Sequence, residues 1–138
     1  MPLAYAIPST LFFLVAFPFL LLWTKLRGGQ RARFAWYPPG FPPPKQGPRV
    51  WLHAASSGDI ASLSPVFHEL RRRRPGLSIV VTSLTASGEA LARARFQDAD
   101  AVTFLPWDLP FVADRAVRAL DPDVLVLEYT ELWPALMH

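Results

Sequence analysis

Four carboxylates lie where a short apolar run gives way to a polar loop, namely Asp59, Asp108, Glu128 and Glu131. A carboxylate with no metal ligands and no nucleophile beside it in the sequence suits general-base chemistry on a hydroxyl group. Glu128 and Glu131 are close together in one loop, and paired acids mark functional sites more often than single ones do. The chemistry that these residues offer is therefore proton abstraction.

Each of these acids also has a purely structural interpretation. Asp59 is expected in the first turn of a helix, where a negative charge stabilises the helix dipole, and composition alone favours that role. Asp108 is a candidate helix N-cap, with Pro110 in the first turn. Glu128 and Glu131 fit a pair of satisfied carboxylates at the rim of a sheet. The elements that position these residues decide between the interpretations.

A repeated pattern of strand and helix begins at Arg49. Short runs rich in Val, Ile and Leu, without alternation, are typical of strands buried on both faces. Helical spacing follows the first three runs, and Ser87 is a candidate cap for the second helix. The pattern predicts an α/β fold, a Rossmann-like parallel sheet with helices on both faces. The predicted strands are Val50–Ala54, Leu77–Val81, Ala101–Leu105 and Val124–Leu127, and the predicted helices are Ile60–Arg73, Glu89–Phe96 and Phe111–Leu120.

The loops that follow parallel strands meet at the carboxyl edge of the sheet, where α/β proteins bind their ligands. Four loops are thereby expected on one surface. They are Ser56–Asp59, Thr82–Gly88, Pro106–Pro110 and Glu128–Glu131. A doubly wound sheet normally continues after a fourth strand, so residues 49–138 are expected to be an incomplete domain, from a fragment or truncated product of a larger protein.

Several classes of site lack their sequence signals. The chain has no cysteine, which excludes disulfides and thiolate metal sites. It has no glycine-rich dinucleotide or P-loop motif and no G-x-S-x-G elbow. His53, His68 and His138 do not show metal-ligand spacing. We expect neither a metal nor a cofactor.

The N-terminal segment Leu3–Trp23 carries no charge, and Lys25, Arg27, Arg31 and Arg33 follow it. An uncharged helix of this length covers roughly 30 Å, and interfacial Trp followed by basic residues is typical of the cytoplasmic side. We therefore predict a single-pass, uncleaved anchor over residues 1–26, with the bulk of the chain in the cytoplasm. The alternative is an apolar helix that lies in the membrane plane or packs on a partner.

Residues 27–48 are basic and rich in proline, which predicts an extended spacer between the anchor and the domain. The net charge is +3 with histidine neutral, and much of the excess lies at this junction, which disfavours a nucleic-acid partner. The run Arg71–Arg74 closes the first helix of the domain. It is interpreted as a solvated helix end, with attraction to anionic lipid as the alternative.

Four segments resemble motifs of the 3-deoxy-D-manno-octulosonic acid (Kdo) transferases. The stretch Trp51-Leu-His-Ala-Ala-Ser-Ser-Gly-Asp59 resembles the family pattern W-[IL]-H-A-x-S-x-G-E. Thr82-Ser-Leu-Thr-Ala-Ser-Gly88 is similar to T-x-T-x-T-G, and Leu105-Pro-Trp-Asp-Leu-Pro110 to L-P-[YF]-D-x-P. Glu128-Tyr-Thr-Glu-Leu-Trp-Pro134 resembles E-x-E-L-W-P. The motifs occur in the same order and cover the chain.

The resemblance implies the N-terminal half of a two-domain GT-B glycosyltransferase at the inner membrane. In that family this half binds the lipid A precursor, a C-terminal half binds CMP-Kdo, and transfer is inverting and metal-independent. The implied catalytic base is Asp59. The resemblance places acceptor-binding residues in the same loops: Ser56, Ser57, Gly58, Thr82, Thr85, Ser87, Gly88, Glu128 and Glu131.

The first motif departs from the family at its last residue, where Asp59 stands in place of a glutamate. Its side chain is one methylene shorter, and a general base needs a reacting distance of about 3–3.5 Å, so a loop shift must compensate. A second function class therefore stays open, a non-catalytic, truncated, membrane-tethered α/β module that binds a lipid or a protein.

Overall fold

The computed structural model describes residues 3–23, 26, 28–128 and 132–137. Helices and strands alternate from residue 49 onward, as predicted. The elements in chain order are α1 (Leu3–Leu22), α2 (Gln30–Arg33), β1 (Arg49–Ala54), α3 (Ser57–Arg73), β2 (Ser78–Ser83), α4 (Ala86–Arg95), β3 (Ala101–Phe104), α5 (Pro110–Leu120) and β4 (Val124–Leu127).

The four strands form one parallel sheet in the order β3-β2-β1-β4. Trp51 of β1 lies opposite Val80 of β2 on one side and Leu125 of β4 on the other. Since all strands run the same way, the loops that follow them share the carboxyl edge. The predicted parallel α/β sheet is confirmed.

Helices cover both faces of this sheet. Because successive side chains of a strand point to opposite sides, each strand contributes to a cluster on either face. Leu52 and its same-face neighbours pack in one cluster with Phe67 of α3 and Phe96 beyond α4. Trp51 packs in a second cluster with α5. Every residue of β1 and β2 is buried, as the lack of alternation in their sequences indicated.

The helices α3 and α4 begin about three residues earlier than predicted, because the capping residues lie farther upstream. Ser56 caps α3, and Thr85, not Ser87, caps α4 by accepting the backbone N–H of Gly88 at 3.2 Å. The predicted N-cap role of Asp108 is wrong. Leu109 occupies the N-cap of α5 without a side-chain bond, and Asp108 instead accepts the backbone N–H of Ala135 at 2.9 Å.

The prediction of a membrane-spanning anchor over residues 1–26 is not supported by the structure. Within the described part of the chain, no helix combines the length and the apolar character that crossing a bilayer requires. Phe13 and Phe17 of α1 pack instead on the domain, with their rings 5.4 and 6.3 Å from that of Trp107. One side of α1 is thus part of the second core cluster.

The proline-rich segment after α2 packs on the domain and does not stand off it as a spacer. Tyr37 and Phe41 contact the core cluster on the α5 side of the sheet. Lys45 pairs with Asp123 at 3.1 Å, and the carbonyl of Pro43 accepts a bond from Arg49. Proline composition predicts an extended backbone, but it does not reveal these aromatic contacts.

The basic run at the end of α3 is only partly solvated. Arg71 lies against the domain and pairs with Asp100 at 3.0 Å, whereas Arg72 and Arg73 pair with Glu69 on the exposed helix surface. Arg74 is exposed. The predicted solvated helix end therefore holds for the last three arginines.

Candidate functional site

Asp59 lies in the first turn of α3 at the carboxyl edge, where it completes a capping box with Ser56. Its Oδ2 accepts bonds from the backbone N–H of Ser56 at 2.9 Å and from the Ser56 hydroxyl at 2.7 Å. The Ser56 hydroxyl oxygen faces the backbone N–H of Asp59 at 3.5 Å. No described residue donates to Oδ1 of Asp59. One carboxylate oxygen therefore fixes the side chain, and the other is available to a hydroxyl group.

The loops after β1 and β2 are held together through the carbonyl of Ala55. This oxygen accepts the backbone N–H groups of Leu84 and Thr85 at 3.1 and 3.0 Å. The hydroxyls of Ser83 and Thr85 lie 2.8 and 3.2 Å from the same oxygen. The loop that carries Asp59 is thus fixed relative to the loop that carries Thr85.

Gly88 allows these two loops to approach each other. A Cβ atom at this position would lie 2.1 Å from the Ser83 hydroxyl oxygen, 3.0 Å from that of Thr85 and 3.1 Å from the backbone carbon of Ser56. Gly88 is buried in the first turn of α4. A side chain here would push α4 away from the Asp59 loop.

We expect Gly88→Ala to lower the free energy of unfolding by about 1–3 kcal/mol, because the added methyl group would overlap several neighbouring atoms that cannot all shift. Gly58→Ala is the matched control, because its Cβ would meet only the Ser56 hydroxyl, at 3.7 Å. Gly58 lies in a helix, where alanine is favoured by about 0.5–1 kcal/mol. Urea unfolding measures both, and equal stabilities of the two variants would contradict the close approach at Gly88.

Thr82 lies inside the domain and does not face the edge as an acceptor-binding residue would. Its hydroxyl accepts the indole N–H of Trp51 at 2.8 Å. Nδ1 of His53 lies 3.1 Å from both the carbonyl and the hydroxyl oxygen of Thr82, so the bond to the carbonyl places the proton on Nδ1. These three polar side chains form a buried network beneath the loops of the site.

Burial lowers the pKa of His53 from 6.5 to about 4, although the bond to Thr82 and the charge of Asp59 oppose the shift. The unfolded chain takes up this proton below about pH 6.5, whereas the folded chain does not until about pH 4. The free energy of unfolding should therefore fall by up to roughly 3 kcal/mol from this residue as the pH drops through that window.

Urea titrations between pH 7 and pH 4 measure this dependence. His53→Gln should flatten the stability profile, whereas His68→Gln, which changes an exposed histidine, should keep the wild-type slope. Identical slopes in the two variants would show that His53 is not the buried neutral group.

The remaining predicted site residues differ in where they lie and in how exposed they are. Ser57 and Gly58 open α3, and Ser87 is exposed with its hydroxyl 3.4 Å from that of Thr85. The backbone N–H of Glu128 donates to the carbonyl of His53 at 2.9 Å, which puts Glu128 at the same edge. Glu131 lies outside the described residues. Across the described ranges, no cluster of three acidic or histidine side chains could hold a metal ion.

The sequence does not distinguish Arg33 from the other basic residues that follow the apolar N-terminal segment. Its side chain is fully buried. Nη2 donates to the carbonyl of Leu84 at 2.6 Å, and the guanidinium lies 4.4 Å from the centre of the Phe104 ring. The backbone carbonyl of Arg33 also accepts the N–H of Trp107 at 2.7 Å. Arg33 joins the loops that follow β2 and β3, a role that composition did not indicate.

Comparison with known proteins gives a consistent set of relatives. A family model described as 3-deoxy-D-manno-octulosonic-acid transferase (kdotransferase) matches residues 29–138. A 3-deoxy-D-manno-octulosonic acid transferase of Haemophilus influenzae is 36% identical over 77% of this chain and 24% of its own length. Those of Chlamydia trachomatis and Chlamydophila psittaci are 34% and 37% identical over 64% and 65% of this chain, and 21% of each relative.

This chain spans about a quarter of the length of the curated relatives that it matches. The matched region contains all four strands of the sheet and the loops at its carboxyl edge. On the extent of the family match, the chain belongs to the Kdo transferase family and carries its N-terminal domain.

Proposed function

We propose that this chain is the acceptor-binding part of a membrane-associated transferase that moves Kdo from CMP-Kdo to a lipid A precursor. Family membership supports the glycosyltransferase class. The observation that carries the site assignment is the geometry of Asp59. Its Oδ2 is held by Ser56, and its Oδ1 receives no bond from a described residue.

In the proposed reaction, Oδ1 of Asp59 takes the proton of an acceptor hydroxyl. The hydroxyl oxygen then forms a bond to the anomeric carbon of Kdo, and CMP leaves with the electron pair of the bond that breaks. Attack from the side opposite to CMP inverts the anomeric centre. Asp59 lies in the first turn of α3, next to the positive end of the helix dipole.

The loops around Asp59 suit an acceptor that has several hydroxyl groups. Ser57 is partly exposed at the edge, Gly58 and Ser87 are exposed there, and Glu128 borders the same surface. The Ala55 carbonyl fixes the two loops relative to each other, which limits the reorganisation needed when the acceptor binds. We assign direct acceptor contact to these residues and a supporting role to Thr82.

The test of the proposed function is transfer by a protein in which this chain is joined to a donor-binding half. Labelled Kdo from CMP-Kdo should appear on a lipid A precursor and not on the same lipid with its sugar hydroxyls blocked. A folded two-domain protein that binds CMP-Kdo and transfers nothing would favour the non-catalytic module.

We also propose that α1 attaches this domain to the cytoplasmic side of the inner membrane through its outward face. The side opposite Phe13 and Phe17 exposes large apolar side chains, with Phe12, Val15 and Leu22 each more than 70% exposed. The exposed Arg31 and the basic residues after α1 in the sequence suit anionic headgroups.

Vesicle flotation tests the attachment, and protease treatment tests the side. Phe12→Gln together with Val15→Gln should reduce flotation with phosphatidylglycerol vesicles, whereas Val66→Gln on α3 should not. Protease added to intact spheroplasts should spare residues 49–138. Digestion of the domain under those conditions would contradict the cytoplasmic placement.

A further inference from the structure

The buried guanidinium of Arg33 lies at one end of a series of hydrogen-bonded peptide groups. Its Nη2 donates to the carbonyl of Leu84 at 2.6 Å. The N–H of the same peptide group belongs to Thr85, and it donates to the carbonyl of Ala55 at 3.0 Å. The first peptide group therefore joins Arg33 to the loop that follows β1.

A second peptide group extends the series to the carboxylate of Asp59. It consists of the Ala55 carbonyl and the Ser56 N–H, and this N–H donates to Oδ2 of Asp59 at 2.9 Å. The guanidinium and the carboxylate thus occupy opposite ends of one series, in which each peptide group accepts at its oxygen and donates at its nitrogen. Hydrogen bonds arranged in this way polarise and strengthen one another.

The positive charge of Arg33 has no carboxylate beside it among the residues that the structure describes. The side chain is fully buried, its Nε donates to the carbonyl of Gly28 at 2.9 Å, and the rings of Phe104 and Trp107 lie against the guanidinium. Burial lowers the pKa of Arg33 to about 10, which leaves the residue charged at neutral pH. Because no water screens a buried cation, it polarises the groups that it contacts more strongly than an exposed one does.

We propose that Arg33 is a positioning residue for Asp59 and acts on it through the two peptide groups. The guanidinium fixes the loop that follows β2 and makes the Ser56 N–H a stronger donor to Oδ2, which limits the rotation of the carboxylate. The Leu84 N–H and the Ser83 hydroxyl also reach the second carbonyl of the series, but these donors are neutral. The effect on sugar transfer rests on the proposed function, whereas the series of bonds does not.

The test is NMR of the 138-residue chain in detergent micelles, with the amide proton shifts of Ser56 and Thr85 as the readout. Arg33→Met removes the charge and the donor but keeps an unbranched side chain. Both amide protons should then shift upfield, because the hydrogen bonds that they make become weaker. Arg33→Lys keeps a charge and a donor, so both shifts should return most of the way to the wild-type values.

Arg49→Met is the matched control, because Arg49 is also buried but lies at the amino end of β1, where it donates to the Ser78 hydroxyl. It should leave the shifts of Ser56 and Thr85 unchanged, even if the melting temperature falls. Unchanged shifts in folded Arg33→Met, or the same shifts in Arg49→Met, would overturn the proposal.

Asp59→Asn tests the series from its other end and does not depend on whether Arg33→Met folds. Asp59 is partly exposed, and its bonds are made to Ser56 and not to Thr85. Loss of the negative charge should nevertheless shift the Thr85 amide proton upfield, because the second peptide group becomes less polarised. A Thr85 shift that does not respond to Asp59→Asn would overturn the proposal.

Transfer by the two-domain protein measures the consequence for the reaction. Arg33→Met should lower kcat by about tenfold or more, because small displacements of a reacting group are costly. The KM for the lipid acceptor should change little, since Arg33 is buried and does not reach the acceptor. Arg33→Lys should restore most of kcat. An unchanged kcat in Arg33→Met would overturn the positioning role, whereas the expected NMR shifts in a wild-type protein that transfers nothing would overturn only the proposed function.

Discussion

Asp59→Asn should lower Kdo transfer by about 10²–10⁴-fold in a protein that carries both the acceptor-binding and the donor-binding halves. The amide cannot take a proton from the acceptor hydroxyl, although it has nearly the same size and can still accept from Ser56. Thermal melting should therefore change little. Wild-type transfer by the Asn variant would exclude Asp59 as the base and would direct attention to Glu128 and Glu131.

Two further variants separate the capping role of Asp59 from its chemical role. Ser56→Ala removes the bonds of the Ser56 hydroxyl but keeps the backbone N–H bond to Oδ2 of Asp59, so it should cost about 0.5–2 kcal/mol of stability and leave the carboxylate in place. Its loss of transfer should be much smaller than that of Asp59→Asn. Asp59→Glu restores the side-chain length of the family motif and the usual capping-box acid. It should retain transfer, because only the reach of the base changes.

Trp51→Ala should lower the free energy of unfolding by about 3–5 kcal/mol, as expected for a large aromatic residue removed from a packed core. Trp51 is fully buried in the central strand, and its indole N–H is bonded to Thr82. The loss is a large part of the roughly 5–15 kcal/mol that stabilises an ordinary domain. Urea unfolding followed by circular dichroism measures it.

The matched control is Trp36→Ala, because Trp36 is 55% exposed. Its unfolding free energy should stay within about 0.5 kcal/mol of wild type. Equal losses in the two variants would contradict the placement of Trp51 at the centre of the sheet.

The strands could be predicted from sequence because their signal is local. Runs of Val, Ile and Leu without alternation marked strands buried on both faces, and β4 has the predicted bounds Val124–Leu127. The parallel arrangement followed from the intervening helices. Helix starts were less accurate because several residues compete for each cap. Thr85 and Ser87 both have a hydroxyl, and only the geometry of the loop shows that Thr85 accepts the bond from Gly88.

Tertiary contacts of the N-terminal third could not be predicted from its composition. The α2 helix has only four residues, too few to show helical periodicity. Arg33 resembles the exposed Arg31 in residue type, yet it is enclosed by Phe104 and Trp107. The apolar character of α1 indicated burial in lipid, whereas the structure shows that Phe13 and Phe17 contact the domain.

The candidate site was predictable in position but not in detail. Parallel topology places Asp59, Thr85, Gly88 and Glu128 at one edge, and the structure shows them there. The polar side chains within the strands could not be placed in this way. Both faces of these strands are covered, and the sequence does not show which polar side chains reach the edge. His53 and Thr82 lie inside, where they support the loops through a shared network with Trp51.

Hydrogen exchange of this chain with and without a lipid A precursor tests most directly whether the carboxyl edge is the acceptor site, because it needs no donor-binding half. We expect slower exchange on ligand binding in residues 55–59 and 84–88, with smaller changes at the opposite end of the sheet. Asp59→Asn should preserve this protection, since it alters proton transfer and not the binding surface. Protection confined to α1, or the absence of protection at both loops in a chain that binds the lipid, would show that the carboxyl edge is not the acceptor site.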